Sequence, residues 1–143
     1  MSYEQQRALF INAIEKMKTM PLVDTVELKS LETWEIVNGK EIAPLWFPSK
    51  IQIEYEIKNI GNMSLELQTN LNRSKFEDLE IVSIDINSRY RLEGHGRKLI
   101  DQAKKIASKF NVRLYGDYMD SSKEFYKHCG FNIKGRKFEI LSI

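Results

Sequence analysis

Arg91-Leu92-Glu93-Gly94-His95-Gly96-Arg97 sets two closely spaced glycines between two guanidinium groups. The stretch before it, Leu79-Glu80-Ile81-Val82-Ser83-Ile84-Asp85-Ile86, is β-branched at half its positions and short, which predicts a strand. After it, Leu99, Ile100, Ala103, Ile106, Ala107 and Phe110 recur at helical spacing, with Lys98, Asp101, Lys104 and Lys105 between them. A strand, glycine turn and helix in that order aim unpaired backbone N–H groups and a positive helix end at one point, which suits a phosphate. Glycine lets the backbone approach an anion with no Cβ in the way. Three anion-binding motifs share this logic. A Walker loop needs Lys followed by Ser or Thr, and neither pair follows Gly94 or Gly96; a dinucleotide fingerprint needs a third glycine where Leu99 stands. What remains is R-x-x-G-x-G after a strand.

A second motif lies downstream. Val112-Arg113-Leu114-Tyr115 reads as a short strand, and Ser121-Ser122-Lys123-Glu124 as a capping box that opens a helix. That helix carries Phe125-Tyr126-Lys127-His128-Cys129-Gly130-Phe131, with Gly130 placed to end it. R-x-x-G-x-G followed by F-Y-x-x-x-G-F, with a helix and a strand between, resembles the cofactor half of the GNAT (GCN5-related) N-acetyltransferase superfamily. The resemblance runs from Leu79 to about Ile140.

It implies an α/β fold: a mixed, mostly antiparallel sheet with helices on both faces. It also implies transfer of an acetyl group from acetyl-coenzyme A to a primary amine by direct attack in a ternary complex. By motif match, Leu92, Glu93, Gly94, His95, Gly96 and Arg97 would hold the pyrophosphate through their N–H groups, assisted by the Arg91 and Arg97 side chains. The strand bearing Ile84, Asp85 and Ile86 would splay from its neighbour after residue 114 and pair with the pantetheine arm. Tyr126 matches the position that protonates the departing thiolate, and Glu80 resembles the glutamate that deprotonates the amine, with Glu54 and Glu56 as alternatives. Met119 stands where the family often has an asparagine that touches the cofactor, so that contact would be lost or move to Ser122 or Asp120; Ser122 and Phe125 complete the cofactor-binding set. The acceptor would be a small-molecule amine or a protein amine, and a homodimer is compatible with the family. The alternative is a catalytically inactive module of the same fold that binds coenzyme A, a protein partner or both.

The elements that must position these residues fit one domain of 143 residues, with the acceptor side mainly in 1–78 and the cofactor side mainly in 79–143. A hydrophobic content of 42% with 29% charged residues is ordinary for a globular protein and excludes disordered and collagen-like classes. The single cysteine, Cys129, excludes an internal disulfide and fits a reducing compartment. The longest run without a charged residue is eight, Ile42 to Ser49, too short for a membrane span. Glu4, Arg7, Glu15, Lys16 and Lys18 break any signal-peptide core, so a cytoplasmic location is expected. Two histidines and one cysteine show no metal-ligand spacing, so no metal is expected.

Charge divides unevenly. Residues 1–90 hold ten Lys/Arg against fourteen Asp/Glu, a net −4, and residues 91–143 hold twelve against six, a net +6. A basic second half suits a polyanion such as coenzyme A, and an acidic first half suits a cationic amine. No long basic cluster or reading module points to nucleic acid.

Residues 3–18 read as a helix with Leu9, Phe10, Ala13, Ile14 and Met17 on one face. Asn38-Gly39 between Trp34–Val37 and Lys40–Ile42 signals a hairpin, and Pro44 and Pro48 a loop. Lys50 to Lys58, Met63 to Gln68 and Leu79 to Ile86 then form three successive strands, expected as an antiparallel meander. GNAT domains begin with a strand followed by two helices that line the acceptor groove. Here a helix comes first and residues 22–49 read as strands and loop, so the departure falls on the acceptor side.

Overall fold

The structure, a computed structural model, describes residues 2–33, 36–37, 40–41 and 50–140. Helix α1 spans Tyr3–Thr19. Ser2 caps it through a reciprocal box, its side chain accepting from the Gln5 N–H while the Gln5 side chain accepts from the Ser2 N–H. Strands β1 (Val26–Glu32), β4 (Lys50–Ile57), β5 (Gly61–Thr69), β6 (Phe76–Ile86), β7 (Arg113–Asp117), β8 (Asn132–Lys134) and β9 (Lys137–Ile140) form one sheet in the order β1-β4-β5-β6-β7-β9-β8. Among the described strands only β6 and β7 run parallel, which requires the crossover helix α2 (His95–Phe110) between them. The mixed, mostly antiparallel sheet and the β4–β5–β6 meander are as the sequence reads. Strands β2 (Ile36–Val37) and β3 (Lys40–Glu41) pair antiparallel, as the hairpin signal requires. The Asn38-Gly39 turn and the loop at Pro44 and Pro48 lie outside the described residues.

Alternation divides the sheet into two unlike faces. Ile51, Ile53, Tyr55 and Ile57 of β4, Met63, Leu65 and Leu67 of β5, and Leu79 and Ile81 of β6 are all buried. The α2 side chains Leu99, Ile100, Ala103, Ile106 and Ala107 join this core, as do Phe10, Ala13, Ile14 and Met17 of α1. Phe76 links the two helices, 5.2 Å from the Phe10 ring and 6.1 Å from Phe110. Helix α3 (Lys123–His128) packs on the same side, because its Tyr126 stacks on Phe138, which lies opposite Gly116 beside Leu114. Gln52, Glu54, Glu66, Gln68, Glu80 and Tyr115 point the other way. The described helices thus share one face and leave the other polar. The second helical layer read from the family pattern is not built from described residues.

Tyr55 is fully buried beside Gln102, and burial pushes its phenol up to about 12. Gln102 is also buried and accepts the Val23 N–H at 2.8 Å, tying the α1–β1 connection to α2. The hydrogen bond satisfies a side-chain oxygen that would be costly to leave bare in the core.

Candidate active site

β6 and β7 pair only over Asp78–Glu80 and Arg113–Tyr115, one residue further along β7 than expected from sequence. Beyond that point they separate, while β6 stays paired to β5 through Ile86↔Gly61. One edge of β6 therefore loses its partner. Ser83 faces Ser64 but Ile81 faces Leu65, so Val82 is an extra residue. This bulge resets the alternation and brings Ile84 and Ile86 to the helical face with Leu79 and Ile81.

After β6 the chain turns through a 3-10 segment, Ser88–Tyr90, capped by the Asn87 side chain on the Arg89 N–H. Leu92 (φ 66°) and Gly94 (φ 86°) both adopt left-handed conformations. Gly94 then serves as N-cap of α2 with no side-chain hydrogen bond, so the first N–H groups of the helix gain no capping oxygen from it. At Gly96 a Cβ would lie 3.1 Å from the Phe125 ring, so glycine here admits that ring against the start of α2.

The unpaired β6 edge, this turn and α3 enclose a cleft of about 620 Å³. The strand contributes Ile84, Asp85 and Ile86, and the turn contributes Arg91, Leu92, Gly94, His95, Gly96 and Arg97. Ser122, Phe125 and Tyr126 close the far wall. Arg91 and Arg97 are exposed, and Arg91 Nε donates to the Ile86 carbonyl at 3.4 Å. Two sequence-read residues fall outside the lining. Glu93 projects into solvent 3.7 Å from His95 Nε2. Glu80 is on the polar face, at the last paired position before the strands part.

Tyr90, Ser121, His128 and Cys129 also line the cleft, although no sequence motif marked them as ligand residues. Tyr90 sits edge-on to His95 at 6.2 Å. His128 and Cys129 follow Tyr126 closely enough that helical neighbourhood could have found them. Tyr90 and Ser121 are brought in by the packing of the turns. Ser122 precedes α3 but makes no side-chain capping bond, so the expected capping box does not form. Gly130, at φ 92°, ends the helix as expected.

Tyr126 is 8% exposed and boxed by aromatic rings. Phe138 stacks on its face at 3.7 Å and 10°, with Phe125 at 5.1 Å and Phe131 at 5.8 Å set edgewise. Burial first, and then the neighbouring Cys129 thiol, push its phenol up to about 12. It can therefore only give a proton at neutral pH. Glu80 Oε1 lies 3.0 Å from Gln68 Nε2 and 3.2 Å from the Tyr115 hydroxyl, which holds the carboxylate at the rim of the strand gap. Glu54 and Glu56 share that polar face but sit two strands away, about 10 Å from β6 at the usual spacing. Among the described residues no three His, Cys, Asp or Glu gather as a metal site, and no helix is long and apolar enough to cross a membrane.

The Acetyltransferase (GNAT) family model matches residues 21–131, well over half of the chain. The chain belongs to this family. The match begins just after α1, which ends at Thr19. No curated protein sequence matches the chain. The fold is similar to that of a putative streptothricin acetyltransferase from Bacillus anthracis str. Ames in complex with acetyl coenzyme A. That likeness has 20% identity and a TM-score of 0.50, covering 90% of this chain and 93% of that one. It is also similar to Elp3 of the archaeon Methanocaldococcus infernus (14% identity, TM-score 0.54, 88% of this chain, 32% of that one). A third likeness is to the anti-CRISPR protein AcrVA5 (16% identity, TM-score 0.52, 62% of this chain, 97% of that one). At these identities the likenesses speak for the fold alone.

Proposed function

We propose that this GNAT protein transfers the acetyl group of acetyl-coenzyme A to a primary amine. The observation that carries the reading is the β6 edge left without a partner, followed through a short turn by the N-terminus of α2, whose N-cap Gly94 offers no side chain to close it. An extended amide-bearing ligand can pair with such an edge, and a phosphate can accept from such N–H groups. Arg91 and Arg97 flank that end with exposed cations suited to a pyrophosphate. The coenzyme supplies the activated thioester.

The chain's residues divide the proton traffic between the two sides of the sheet. Glu80, on the polar face, accepts a proton from the incoming amine as its nitrogen bonds to the acyl carbon. Tyr126, on the helical face, gives its phenolic proton to the sulfur as the carbon–sulfur bond breaks. Backbone N–H groups along the β6 edge polarise the acyl oxygen. Glu80→Gln should lower turnover roughly tenfold near pH 7, below the usual acid–base contribution of about 10²–10⁴-fold because water can also carry the proton away. The deficit should shrink toward pH 10, where the amine deprotonates itself. Superimposable pH profiles for the two proteins would remove Glu80 from the reaction.

Calorimetric titration with acetyl-coenzyme A tests the reading as a whole, followed by an amine screen that monitors free thiol. Micromolar binding with thiol release on addition of an amine is expected. No binding at millimolar concentrations would sink the enzyme reading, and binding without transfer to any amine would favour a non-catalytic module.

A further inference from the structure

We infer that Phe138 limits the length of the acyl chain this protein accepts, by backing the Tyr126 ring at the vertex where β6 and β7 part, so that acetyl fits and longer chains do not. The inference rests on the proposed acyl-coenzyme A cleft. Phe138 is fully buried on β9, opposite Gly116 of β7. Its ring covers Tyr126 at 3.7 Å and meets Phe131 edgewise at 4.9 Å. At Gly116 even a single Cβ would lie 2.4 Å from the tip of the Phe138 ring and 2.8 Å from the Ile81 carbonyl oxygen.

These contacts fall where the two parallel strands part, since Ile81 and Gly116 each follow the last pair, Glu80↔Tyr115. A ligand lying along the β6 edge with its phosphates at α2 points its acyl end toward this closed vertex. Tyr126 lines the cleft and Phe138 does not, so Phe138 forms the layer behind the proton donor. Interiors packed to this density hold no spare volume for another methylene. Each added carbon has to move a ring already held by Tyr126, Phe131 and the Gly116 backbone. A methylene misfit in an apolar pocket is worth about 10–200-fold in discrimination, so acetyl-coenzyme A should bind at least about tenfold tighter than butyryl-coenzyme A.

The test is calorimetric titration of the wild type, Phe138→Leu and Phe138→Ala with coenzyme A and its acetyl, butyryl and hexanoyl thioesters. Circular dichroism selects the folded variants, and Phe138→Leu keeps most of the apolar contact should the alanine variant unfold. The expected result is a wild-type preference for acetyl that collapses in a folded variant, through a gain for the longer chains, while free coenzyme A binds nearly as before. General damage to the fold would weaken all four ligands together and would overturn the specific role. Equal wild-type affinity for acetyl and butyryl, or an intact preference in folded Phe138→Leu, would also overturn it and leave the cleft assignment standing. Failure of all four ligands to bind the wild type would overturn the cleft reading, and this inference with it.

Discussion

Replacing Tyr126 with phenylalanine should lower kcat about a hundredfold, the lower end of the range for a positioned general acid, and leave acetyl-coenzyme A affinity nearly unchanged. The ring would stay where it is, because stacking on Phe138 and edge contacts with Phe125 and Phe131 need no hydroxyl. Only the hydroxyl would go. Burial holds the wild-type phenol protonated up to about pH 12, so turnover should show no alkaline decline from this group through pH 10. The measurement is thiol release over pH 6–10 with an amine from the screen, alongside calorimetry. Equal kcat in the two proteins would leave Tyr126 as a packing residue. A fall in affinity matching the fall in turnover would point to a damaged cleft.

Gly96→Val should weaken acetyl-coenzyme A binding by more than about tenfold, the scale of one or two charge-assisted hydrogen bonds. The added side chain has two places to go. Toward α3 it meets Phe125, whose ring atoms already stand 3.1 and 3.2 Å from the position of a Cβ. The alternative is the cleft itself, which Gly96 lines. A double variant, Gly96→Val with Phe125→Ala, separates the two by calorimetry. Recovery of affinity would show that Gly96 is there for Phe125, and no recovery would show that the ligand needs the bare backbone. Normal binding by folded Gly96→Val alone would place the phosphates elsewhere.

Much of the cofactor side was legible because its signals are local. Gly94 is read as a turn residue and adopts φ 86°; Gly130 is read as a helix end and adopts φ 92°. The α2 periodicity translated directly into a buried stripe. Other features were hidden by distance along the chain. Nothing in Glu80-Ile81-Val82 announces a bulge, because Val82 becomes surplus only when β6 is laid against β5. The capping box read in Ser121-Ser122-Lys123-Glu124 failed although its residues were in place, since the 3-10 turn of Asp120–Ser122 makes Ser122 the residue that enters α3. The family pattern implied helices on both faces, whereas the α1 stripe joins α2 on one side of the sheet.

The sequence by itself determined the strand–turn–helix, the two glycine motifs and the family to which they belong. Glycine φ angles, helical periodicity and strand alternation are constraints between near neighbours, and near neighbours are visible in a string. The tertiary structure decided that Glu80 and Tyr126 stand on opposite sides of one sheet, that the strands part after Glu80 and Tyr115, and that Phe138 backs Tyr126. Those relations depend on register between strands far apart in the chain. Register is set by how whole faces pack together, which no local pattern records.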